Sequence, residues 1–150
     1  MFTTYKKLLK EFVAIQSVST DPAFQPNMDL AVDWLKKLFQ DHGFTVKILT
    51  DPTCDPVVVA TYDAGQDTTT LIYGHYDVQP AEIEQGWKGN PFELREADGR
   101  LYGRGVVDNK GQILAHMVAV FQRITNGSLR SNITFMIEGN EETTNYALPG

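Results

Sequence analysis

The sequence has 150 residues, 42% of them hydrophobic and 21% charged, enough for one globular domain with a buried core. Nineteen acidic residues against thirteen basic ones give a formal net charge of −6, and no Lys/Arg-rich run is present, which argues against nucleic acid as a partner because backbone binding needs clustered positive charge. Cys54 is the only cysteine, so no intrachain disulfide can form; no apolar run approaches the ~20 residues of a membrane span and no signal-peptide pattern opens the chain, so a soluble, cytoplasmic protein without a membrane partner is expected.

Tyr5, Leu8, Leu9, Phe12 and Val13 recur at helical spacing with Lys6, Lys7, Lys10 and Glu11 between them, the pattern of a surface helix with one buried face. Gln16 to Pro26 has the composition of a loop. A second helix is expected to start at a cap provided by Asn27 or Asp29, to bury Leu30, Ala31, Trp34, Leu35, Leu38 and Phe39, and to end at Gly43. His42, in its last turn, reads as structural. Strands are expected over 44–49 and 57–62, separated by a turn over 50–56, and a further strand is expected to end near Gly74. Between Ala81 and Arg104 the chain is polar and punctuated; Asp98-Gly99 signals a tight hairpin, and Trp87 and Phe92 read as packing under a loop. Ile113, Leu114, Met117, Val118, Phe121 and Ile124 mark a helix ending at Gly127, in which His116 is a packing or surface residue, and 132–138 is a last strand. This order predicts an α/β fold with a mixed, mostly parallel sheet flanked by helices.

Chemistry-bearing residues gather at element ends. His75 and Asp77 follow the strand that ends at Gly74, and in extended chain an i, i+2 pair shares one side. A metal-ligating His needs its second ring nitrogen held by an acceptor, and Asp77 is spaced to provide one; a simple hydrogen-bonded pair accounts for the two residues as well. Asp108 lies at or just before a helix start, where N-capping competes with ligation as its role. The glycines around it do not form a phosphate cradle, since neither a GxGxxG nor a Walker spacing is present. Glu141 and Glu142 follow the last strand and are either solvated loop charge or a working pair. One imidazole and several carboxylates at the carboxyl ends of strands suit zinc or another divalent metal in a hydrolytic site.

Three segments in order, 74–80 (Gly-His-Tyr-Asp-Val-Gln-Pro), 103–111 (with Gly103-Arg104-Gly105 and Asp108-Asn109-Lys110-Gly111) and 138–142 (Glu-Gly-Asn-Glu-Glu), resemble the co-catalytic di-zinc metallopeptidases. That family includes aminoacylase, carboxypeptidase G, succinyl-diaminopimelate desuccinylase and carnosinase-type dipeptidases. The likeness runs from Gln16 to Glu142, and Val78-Gln79-Pro80-Ala81 with Trp87 and Pro91-Phe92 is most similar to the dipeptidase branch. The resemblance implies His75 as a terminal ligand of one metal, Asp77 as its orienting clamp and Asp108 as the carboxylate bridging two metals. It further implies Glu141 as general base, Glu142 as a ligand of the other metal, and a cis Asp108-Asn109 peptide bond. The implied cofactors are two divalent ions, zinc first, with cobalt or manganese as alternatives. Dipeptides or N-acyl amino acids are the implied substrates. The family is much longer, so residues 1–150 correspond to the N-terminal part of a single catalytic domain. A lid or dimerisation domain and further ligands lie beyond it, which leaves a homodimeric full-length protein open. The rival reading is a non-catalytic fragment or folding module that keeps some metal-binding residues. After Glu142 the chain has Thr143-Thr144-Asn145 where relatives commonly have a turn containing Gly-Ser.

Overall fold

A computed structural model describes residues 1–143. Helix α1 spans Phe2–Ala14 and buries Leu9, Phe12 and Val13, the apolar stripe its spacing predicts. A single 3₁₀ turn, Pro22–Phe24, leads directly into α2, Gln25–Gln40. The helix thus starts before Asn27 and Asp29, and neither caps it. Pro26 occupies its first turn, where the fixed φ of proline suits a helix and its missing N–H costs nothing. Helix α3 runs Lys110–Thr125.

Six strands are described: β1 Thr45–Asp51, β2 Cys54–Tyr62, β3 Thr69–His75, β4 Arg95–Ala97, β5 Arg100–Tyr102 and β6 Asn132–Glu138. Four of them form a sheet of order β1-β2-β6-β3, and β4 with β5 forms a separate hairpin around Asp98 and Gly99, both at positive φ. The first two strands extend further into their connection than the apolar pattern indicates, so the expected turn over 50–56 shrinks to Pro52-Thr53. Pro56 then falls inside β2, where the register shift between Leu49 and Asp51 disrupts the ladder and spares its missing donor.

The sheet is mixed as expected, but it is not mostly parallel among the described strands. β1 with β2 and β2 with β6 are antiparallel, and only β3 with β6 is parallel. The two-residue connection forces the first pairing, because a parallel pair needs a long crossover. The crossover from β3 to β6 carries the β4-β5 hairpin and α3.

Alternate residues of β6, Ile133, Phe135 and Ile137, are buried against all three helices in one core with Val58 and Ala60 of β2. Phe135 is wholly buried, its ring centroid 5.0 Å from that of Phe39 and 6.0 Å from that of Phe44. On the other face Leu71 and Tyr73 remain half exposed or more. His42 is structural: Nδ1 donates to Leu38 O at 2.7 Å and the ring stacks on Phe121. His116 is exposed, and Phe92 packs with Val18 and Val78. Among the described residues no helix is long and apolar enough to cross a membrane.

Candidate functional site

The parallel pairing of β3 and β6 is in register from Thr69 opposite Asn132 to His75 opposite Glu138. Both strands therefore end at the same sheet edge, one delivering His75 and Asp77 and the other Glu141 and Glu142. Helix α3 brings the third segment to that edge by packing on β3 at Gly74. A Cβ on Gly74 would sit 2.6 Å from Asn109 Oδ1 and 2.9 Å from Ile113 Cδ1, so a residue with no side chain is what lets the start of α3 approach. Gly74→Ala is expected to destabilise the fold by about 1–3 kcal/mol through overpacking, measured as a lowered midpoint in thermal unfolding.

His75 is 4% exposed and lies at the centre of the constellation. Its Nδ1 is 3.1 Å from Asp77 Oδ1 and 3.1 Å from the Asp77 carbonyl; its Nε2 is 3.1 Å from Asp108 Oδ1 and 3.7 Å from Glu141 Oε2. Burial works to lower the pKa of this ring. The Asp77 hydrogen bond and charge, the Glu141 charge and the Asp108 hydrogen bond outweigh burial and raise it to about 9. A metal ion taking Nε2 has to displace the proton that the carboxylates favour there.

Asp77 is fully buried and its charge is met by directed donors. Besides His75, Asp77 Oδ2 accepts from Ser19 Oγ at 2.6 Å and from the Glu142 N–H at 3.0 Å. Asp77 thus joins the His75 ring, the Ser19 loop and the backbone of Glu142 in one buried set of hydrogen bonds. Asp108 does not cap α3: the cap position belongs to Asn109, whose side chain makes no capping bond. Instead Asp108 is two-thirds exposed and turned toward His75, and its bond to Asn109 is cis, as the resemblance implies. Asn109 Oδ1 accepts from the His75 N–H at 3.3 Å.

Glu141 joins this cluster, while the Glu142 side chain faces elsewhere, accepting from Gln79 Nε2 at 3.0 Å. Among the described residues no group of three or more His, Cys, Asp or Glu side chains is arranged to hold a metal ion. The donor set still has the right chemistry for part of one: an oriented imidazole whose Nε2 faces two carboxylates at an open sheet edge. An open groove of about 290 Å³ beside the β4-β5 hairpin, lined by Trp87, Arg95 and Tyr102 among others, contains none of these residues. The Trp87 ring packs under the Arg104 guanidinium.

Four supporting residues, Ser19, Gln79, Asn109 and Lys110, are assigned no role by the sequence, although the last three lie in the segments that carry the resemblance. Lys110 is wholly buried, with Nζ donating to Phe12 O at 3.0 Å and Ile15 O at 2.6 Å, so it ties the end of α1 to the start of α3. Burial pulls its pKa down to about 7 against the opposing charge of Asp77. Thr144 and Asn145, where the chain departs from the resemblance, lie outside the described residues.

Known proteins are similar to this chain in both sequence and shape. Residues 71–149 match the model of Peptidase family M20/M25/M40. Beta-Ala-His dipeptidase of Mus musculus is 38% identical across 96% of this chain and 32% of its own length, and cysteinylglycine-S-conjugate dipeptidase of Corynebacterium striatum is 32% identical across 89% and 30%. The structure of human carnosine dipeptidase 1 superposes with a TM-score of 0.89 at 36% identity, over 97% of this chain and 34% of that one. The chain thus spans about a third of the length of these relatives. The matched region takes in all three segments that meet at the sheet edge, and the chain belongs to Peptidase family M20/M25/M40.

Proposed function

We propose that this chain is the N-terminal part of the catalytic domain of a longer metallopeptidase that hydrolyses the amide bond of dipeptides or N-acyl amino acids. The observation that carries this reading is the convergence of His75, Asp77, Asp108 and Glu141 around one imidazole at the shared end of β3 and β6. Similarity to dipeptidases over nearly the whole chain supports the substrate class. His75, Asp108 and Glu142 are the residues that would hold two divalent ions, zinc first, together with ligands from the rest of the protein. When bound, the metal supplies Lewis-acid polarisation of the scissile carbonyl and acidifies water.

This chain's own residues then have distinct tasks. Asp77 fixes the His75 ring so that Nε2 faces the reaction edge. Glu141, whose carboxylate is 3.7 Å from that nitrogen and about half exposed, takes the proton of the attacking water and returns it to the leaving amine. Gln79 holds the Glu142 carboxylate through one of its oxygens. The 150 residues alone are expected to be inactive, since the described residues do not complete a metal cage.

Assays of the full-length protein on a panel of dipeptides and N-acyl amino acids, with and without chelator, test the activity. Chelator-sensitive hydrolysis supports it; no hydrolysis of any member with metal present contradicts it. Within that protein Asp77→Asn is expected to weaken zinc affinity or turnover about 10–100-fold, the usual scale for a ligand's orienting partner. Calorimetric zinc titration and steady-state kinetics read it, and unchanged values in both would remove the clamp assignment.

A further inference from the structure

We propose that Asn140 and Asp55 form a positioning clamp that seats Glu141 and Glu142 from behind, by fastening the turn after β6 to the start of β2. This rests on the reading of the two glutamates as the working pair. Immediately after β6 the backbone at Gly139 passes with no spare room: a Cβ there would collide with the Tyr76 hydroxyl and ring and lie 2.8 Å from Asp55 Cβ. The next residue then locks onto Asp55 with both ends of its amide. Asn140 Oδ1 accepts from the Asp55 N–H at 2.6 Å, and Asn140 Nδ2 donates to Asp55 Oδ2 at 2.9 Å. Gln25 Nε2 donates to the other oxygen, Asp55 Oδ1, at 2.9 Å, which fixes the carboxylate from the α2 side. Asn140 also holds its own turn through Thr143, donating from Nδ2 to Thr143 Oγ1 at 3.2 Å and accepting the Thr143 N–H at its carbonyl at 3.3 Å.

Two residues further on, the Glu142 N–H is held by Asp77 Oδ2 at 3.0 Å. Glu141 is therefore the single residue between two anchored neighbours, one tied to β2 and the other to the His75 clamp. That fixes the backbone position from which Glu141 presents its carboxylate, 3.7 Å from His75 Nε2. An amide is the side chain this requires, because it offers an acceptor to one group of Asp55 and a donor to another. A carboxylate at 140 would face the Asp55 carboxylate instead. Asn140 and Asp55 touch neither His75 nor Asp108 by any hydrogen bond described above, so they act through Glu141 and Glu142 and are positioning residues.

Three variants of the full-length protein test the clamp: Asn140→Asp, Asp55→Asn, and the double exchange of both, which restores a donor opposite an acceptor and keeps the local charge. Hydrogen exchange over residues 139–143 reads the Glu142 amide without reference to activity, and steady-state kinetics on a dipeptide separate kcat from KM. Asn140→Asp is expected to accelerate exchange and lower kcat about 10–100-fold, the scale of a misplaced catalytic group, with KM little changed. The double exchange is expected to bring both readouts back toward the wild type. Accelerated exchange with unchanged kcat would reduce the clamp to a structural latch, and unchanged exchange would remove it altogether. Should Asn140→Asp fail to fold, the double exchange decides alone: slow exchange with near-normal kcat supports the clamp, and fast exchange or lost kcat contradicts it. A full-length protein that hydrolyses neither dipeptides nor N-acyl amino acids would overturn the proposed activity, while the exchange arm would still judge the clamp.

Discussion

Replacing Glu141 by glutamine in the full-length protein is expected to leave zinc content intact and to reduce hydrolysis by about 10²–10⁴-fold, the contribution of general acid–base catalysis. The substitution keeps shape and removes only the proton acceptor, whose carboxylate lies 3.7 Å from His75 Nε2. Glu142→Gln is expected to fail in another way, with metal lost first and activity lost as a consequence. Elemental analysis beside turnover separates the two. Metal lost from Glu141→Gln and retained in Glu142→Gln would reverse the roles. The geometry makes this a real choice, since Glu141 faces His75 and the Glu142 side chain faces Gln79. Hydrolysis unaffected by either change would return the pair to solvated loop charge.

The second large effect is on the fold. Phe135→Ala is expected to destabilise the protein by about 3–5 kcal/mol, the combined cost of lost burial and of the cavity left behind. Phe135 is wholly buried among Phe39, Phe44 and the helices, on the strand that carries the glutamates to the site. A loss of that size is a large share of the ~5–15 kcal/mol that holds a typical domain together. In denaturant titrations the midpoint should fall with little change in slope. A change below ~1 kcal/mol would mean that the helices and the sheet do not share the core described here.

What was legible in the sequence follows from which physical signals are local. The apolar stripes of α1 and α3 and the alternation of β6 are properties of short windows, so those elements appeared where periodicity put them. Strand pairing is not local, and nothing in Val57-Val58-Val59 says that its neighbours run antiparallel. The sheet was consequently expected to be more parallel than it is. At the site, His75, Asp77 and Asp108 were legible because each follows an apolar strand or precedes a helix in a recognisable segment. Ser19 was not: it meets Asp77 across 58 residues of sequence, and a serine in a polar loop looks the same whether it faces water or a buried carboxylate. The burial of Lys110 is hidden for a related reason, because the carbonyls of Phe12 and Ile15 that surround its ammonium lie more than ninety residues away in sequence. Asn140 is the same case, a turn residue by type whose partner, Asp55, comes from the β1-β2 hairpin.

The most direct test of the central claim, that this sheet edge is part of a hydrolytic metal centre, is an anomalous X-ray difference map of the full-length protein crystallised with zinc. Peaks are expected at coordination distance, about 2.0–2.2 Å, from His75 Nε2 and an Asp108 carboxylate oxygen, with Glu142 on one ion and Glu141 free of both. Zinc bound elsewhere, with His75 Nε2 and Asp108 still paired directly, would contradict it.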